Sequence, residues 1–129
     1  MAGRLFLPPG GHLEVNVIGL YGAITFGSTG AVASSSGKGI ASVVRNSTGN
    51  YTVTLSDSYN ALLWAGVALL DSAASDPSTV GVLARIYSQD MSAKTVSVQF
   101  YAADDGAAAD PASGAQALLK FELRNSSVS

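Results

Sequence analysis

The chain contains no cysteine, so neither a disulfide framework nor a thiolate metal site is available, and stability must come from packing or association. Histidine is almost as scarce, with His12 the only one, which leaves a Ser–His–Asp hydrolase no other general base. Charge is thin as well: seven Lys plus Arg stand against nine Asp plus Glu, and charged residues make up 12% of the chain. No basic stripe exists to neutralise a run of phosphates, which argues against a nucleic-acid partner. No apolar run approaches the roughly 20 residues that span a bilayer, and the run near Met1 is too short for a signal peptide. This predicts a protein made and used without secretion and without a membrane partner. What is present is an apolar fraction of 47% over 129 residues, enough for one domain spanning 1–129 with one core. With so little solubilising charge, part of its surface is expected to meet another protein.

The dominant pattern is a period of two. Residues 1–11 form an expected extended arm, because Pro8-Pro9-Gly10-Gly11 excludes helix and permits a sharp turn. Alternation starts at Leu13, Val15 and Val17, and a second strand is expected over Leu20–Phe26, after Gly19. Residues 27–39 are Gly, Ser and Ala for the most part, and predict a long flexible loop. Ile40–Arg45 and Tyr51–Leu55 predict a hairpin around Asn46-Ser47-Thr48-Gly49-Asn50, with Tyr51, Val53 and Leu55 inward and Thr52 and Thr54 outward. Ser56-Asp57-Ser58 predicts a cap for a short helical turn over residues 57–62. The continuous apolar run Leu63–Leu70 predicts a strand buried on both faces. A loop at residues 71–78 follows, then strands over Thr79–Tyr87 and Lys94–Tyr101, with Val96, Val98 and Phe100 lining the core. After a last loop, Gln116–Arg124 closes the chain with Ala117, Leu119, Phe121 and Leu123 alternating against polar neighbours. About eight strands and no long amphipathic helix predict an all-β antiparallel sandwich, jelly-roll-like, with an extended N-terminal arm.

Chemistry-bearing residues are few. His12 beside Gly10-Gly11 lies at the end of the arm, where preorganisation for catalysis is poor. Gly30 through Lys38 fails the phosphate-loop spacing, since Val32 stands where a glycine is needed and Gly39 where a hydroxyl is needed. Asp104, Asp105 and Asp110 can offer oxygens to calcium, but the spacing is not that of an EF-hand and no bidentate Glu closes it, so they read as a solvated loop. The glycosylation acceptor patterns at Asn46, Asn50 and Asn125 matter only in a secreted chain, and turn chemistry explains the first two. Trp64 and the tyrosines can stack sugars or bases, yet Trp64 sits inside the apolar run and reads as core. No cofactor, metal site or catalytic group is expected, and the chain reads as a non-enzymatic interaction module.

Residues 39–55, with Ser42-Val43, Arg45, Gly49, Tyr51, Val53 and Leu55 at their characteristic spacing, resemble a hairpin of bacteriophage structural proteins. It is found in tail-fibre modules and in capsid-associated proteins. The chain reads as a lone small domain without a helical or repetitive shaft, and on that expectation it resembles a capsid decoration or cement protein. The resemblance implies a virion protein that sits as a dimer or trimer where capsomers meet, binds the major capsid protein and holds the shell. The apolar arm residues Leu5, Phe6, Leu7, Pro8 and Pro9 are the candidate partner-binding residues, since no intramolecular strand partner for them is obvious. The alternative is a tail-fibre or receptor-binding module for a host glycan, which would be expected to show exposed aromatics in its loops.

Overall fold

The computed structural model describes residues 17–70 and 82–124. Their eight strands are β1 (Val17–Phe26), β2 (Val32–Ser36), β3 (Ile40–Ser47), β4 (Asn50–Leu55), β5 (Ala61–Leu70), β6 (Val82–Asp90), β7 (Thr95–Ala102) and β8 (Gln116–Arg124). They form two four-stranded sheets, with order β2-β1-β8-β5 in the first and β3-β4-β7-β6 in the second. Every pairing is antiparallel. Around the sandwich, β5, β6 and β7 follow one another and β8 returns beside β5, a Greek-key order that places the last strand next to the first. The expected all-β sandwich is the fold.

The core follows directly from the alternation. In β4, Tyr51, Val53 and Leu55 are buried while Asn50, Thr52 and Thr54 face outward. Val96, Val98 and Phe100 of β7 and Ala117, Leu119, Phe121 and Leu123 of β8 meet them from both sheets. Fifteen buried residues, counting Leu20, Ile24 and Phe26 of β1, form one contiguous cluster.

Four expectations are corrected. The two strands expected around Gly19 are one, because β8 pairs continuously with Val17 through Thr25 and its ladder carries β1 across the glycine. The expected flexible loop at residues 27–39 instead holds the turn Ser28–Gly30 and strand β2. Backbone pairing of Ser34, Ser35 and Ser36 with Thr25, Ile24 and Ala23 makes this edge strand, with only Val32 packed against the core. The helical turn expected over residues 57–62 is absent: Ala61 and Leu62 already pair with Arg124 and Leu123, and the Asn60 N–H donates to the Arg124 carbonyl at 2.9 Å. A waiting strand partner outcompetes a local cap. Finally, β5 is a sheet edge rather than a strand buried on both faces, and a bulge between Leu62 and Trp64 re-aims its side chains. Trp64, expected in the core, is 54% exposed.

Candidate functional site

Two constellations stand out, one at an end of the sandwich and one on a face. At the end, three connections meet: the turn after β1, the β3–β4 turn and the β7–β8 loop. Asp110 from the loop is their common acceptor. Its carboxylate receives Arg45 Nε at 3.2 Å and Nη2 at 2.7 Å, a two-point grip, together with the Gly49 N–H at 2.8 Å. The Tyr51 hydroxyl donates to the Gly30 carbonyl at 2.5 Å and lies 3.4 Å from the same carboxylate. Below this clasp the rings of Phe26, Tyr51 and Phe100 meet edge to face, at centroid separations of 5.3, 5.5 and 5.4 Å.

Glycine is required at two points of the clasp. Gly49 holds φ +72° with its carbonyl accepting the Phe100 N–H, and a β-carbon there would stand 2.4 Å from the Phe100 carbonyl oxygen. Gly30 holds φ +76°, and a β-carbon there would run into the Asp110 carboxyl carbon. Burial works to raise the Asp110 carboxyl, but the hydrogen bonds from Arg45 and Gly49 and the guanidinium charge outweigh it, holding the group below its ordinary value. Burial first, then the Asp110 charge, pushes the Tyr51 phenol up to about 12. All of these donors and acceptors are turned toward one another. The arrangement ties the three connections together and closes this end of the sandwich.

The second constellation covers the outer face of the first sheet. Register sets it out in rows: Gly19, Glu122 and Trp64 in one, Tyr21, Lys120 and Gly66 in the next, Ala23, Leu118 and Ala68 in the third. The Trp64 indole lies across Gly66, where a β-carbon would stand 2.2 Å from Cη2. Lys120 Nζ sits between the two aromatics, 5.6 Å from the Tyr21 ring centroid and 5.9 Å from that of Trp64. It also pairs with Glu122 Oε1 at 3.4 Å, and the Tyr21 and Glu122 oxygens together hold the ammonium above its ordinary value. A shallow groove of about 330 Å³ runs over Tyr21, Trp64, Gly66, Ala68, Leu118 and Lys120.

Of the residues singled out from sequence, Leu5, Phe6, Leu7, Pro8, Pro9 and His12 lie outside the described residues, as does Asn125. Asn46 and Asn50 serve the hairpin turn as expected, donating to Thr52 Oγ1 at 2.6 Å and Ser47 Oγ at 3.0 Å. Asp104, Asp105 and Asp110 do not act together: Asp105 accepts the Ala107 N–H in an exposed turn, while Asp110 points into the clasp. Asp110 was thus misread as solvated loop. The missed signal is that the hairpin brings a guanidinium and a free glycine N–H to one turn and carries no acid of its own.

Comparison with family models, with curated proteins and with solved structures returned no match.

Proposed function

We propose that this chain is a non-catalytic structural protein of a bacteriophage particle, seated on the outer surface of the capsid, where it bridges capsomers and reinforces the shell. What supports the reading is that Arg45, Gly49 and Tyr51, which carry the resemblance to phage hairpins, are the residues gathered on Asp110. In this reading the residues that carry the resemblance serve to close one end of the sandwich. A stiff body suits a protein whose work is to hold neighbours at fixed spacing.

In this reading Leu5, Phe6, Leu7, Pro8 and Pro9 seat on the major capsid protein or on a second copy of the chain, within a dimer or trimer. Extended apolar segments bind by shape and by main-chain contacts rather than by charge, which fits the low charge of the chain. The test is co-sedimentation of the purified protein with phage shells that lack it. Full-length protein is expected to pellet with the shells and raise their disruption temperature. Deletion of residues 2–9 is expected to leave the domain folded but weaken binding by roughly two to four powers of ten, since two buried anchors contribute about 1.5–3 kcal/mol each. Full-length protein that ignores shells, or a truncated one that binds them normally, contradicts the reading.

A further inference from the structure

We infer that the outer face of the first sheet is a binding site for a neutral saccharide, with Trp64 and Tyr21 as its stacking surfaces and Lys120 as its hydroxyl partner. The inference is independent of any role on a capsid.

The first ground is that the aromatics are presented, not stored. Tyr21 is 64% exposed and Trp64 54%, while the core has its own aromatic triad. The bulge in β5 turns Trp64 outward, and Gly66, two residues on, is what lets the indole lie down across the strand. A ring held against the sheet at one position loses little freedom on binding, which is what a stacking platform needs.

The second ground is charge. Lys120, the one charged residue lining the groove, is already paired with Glu122 at 3.4 Å, so the groove offers a hydrogen-bond donor without an uncompensated charge. A phosphate backbone needs an uncompensated cationic track and finds none here. A second protein copy laid on this face would bury the ion pair at the centre of the contact, where its desolvation is costly and charged residues are usually depleted. A sugar ring avoids both problems. Its C–H face covers an aromatic ring, while the hydroxyls on its rim replace water around Lys120.

The third ground is size. A groove of about 330 Å³ lies at the small end of ligand sites, which run from about 300 to 1,000 Å³, and suits one or two rings rather than a long polymer buried along its length.

Trp64 is the only tryptophan, so emission excited at the red edge, where the five tyrosines do not absorb, reports this site alone. The test is a titration of the full chain with glucose, galactose and N-acetylglucosamine and with their β-linked trisaccharides. At least one is expected to shift the emission saturably, with Tyr21→Ala weakening that sugar at least about tenfold. Gly66→Val, which evicts the indole from its seat, is expected to abolish the response while the unfolding midpoint stays near that of the parent. Should Gly66→Val fail to fold, Lys120→Met serves instead, with a weaker sugar response expected in a domain of normal stability. An emission that no sugar in the panel shifts overturns the inference. So does an emission that shifts with protein concentration alone, which assigns the face to a second copy, or a sugar response that survives Tyr21→Ala and Gly66→Val unchanged.

Discussion

The closed end of the sandwich and the outer face of its first sheet use similar residues to opposite ends. Each has a tyrosine, a cation, a carboxylate and a glycine that makes room. At the end, Arg45, Asp110 and Tyr51 turn inward on one another over the Phe26–Phe100 contact, with Gly49 admitting the Phe100 backbone and Gly30 the Asp110 carboxylate. On the face, Lys120 reaches over the surface to pair with the half-buried Glu122, Tyr21 and Trp64 stay exposed, and Gly66 makes room for an exposed side chain. Composition does not distinguish a structural cluster from a recognition surface. Orientation does, and orientation is set by strand register and by what the loops bring over the top.

That contrast predicts where the chain breaks. The largest effect belongs to the core beneath the closed end. Val53→Asp places a carboxylate where the side chain is fully buried, a cost of several kcal/mol against a domain stability of about 5–15, and soluble folded protein is expected to be lost. Thr54→Asp, one residue along and facing outward, is expected to fold normally. Soluble expression and far-UV circular dichroism separate the two, and equal behaviour would mean that the hairpin register is inverted.

Next in size is Gly49→Ala, which combines the cost of a left-handed backbone with a β-carbon 2.4 Å from the Phe100 carbonyl oxygen. About 2–4 kcal/mol of lost stability in denaturant unfolding is expected. A loss below about 0.5 kcal/mol would show that the turn relaxes freely and that the clasp is not tight.

A smaller effect is a dependence on pH. The Asp110 carboxyl lies below its ordinary value in the folded chain, so its stabilisation is complete above the unfolded value of about 3.9 and is lost as pH falls through the folded one. The unfolded chain takes up that proton first. Asp90, lowered by the Ala93 N–H and by Ser92, works in the same window. Asp110→Asn is therefore expected to shallow the acid limb of the stability curve without abolishing it, and unchanged steepness below about pH 4 would remove Asp110 from the account.

Much of the interior was legible in the sequence because alternation reports burial directly. Tyr51, Val53 and Leu55, then Val96, Val98 and Phe100, then Leu119, Phe121 and Leu123 all point where their period of two sends them. Strand β2 was not legible, since Ser34, Ser35 and Ser36 bury nothing and are held by a neighbour's backbone. Nor was the outward turn of Trp64, because a bulge of one residue reverses a face and leaves no mark on an unbroken apolar run. Asp110 was hidden for a third reason. Its partners are about 60 residues away in sequence, and no local spacing announces such a contact.

The central claim, that the end closes the fold and the face is left free of that task, is tested most directly by one pair of unfolding curves. Asp110→Ala strands a guanidinium and a backbone N–H of which it was the acceptor, and about 2–3 kcal/mol of lost stability is expected, the partial exposure of the pair keeping it from more. Trp64→Ala removes a larger side chain from the exposed face and is expected to change stability by no more than about 0.5–1 kcal/mol. Measured side by side in denaturant, the aspartate variant should unfold well before the tryptophan variant. The reverse order would mean that the indole holds the sandwich together and that Asp110 is the dispensable one.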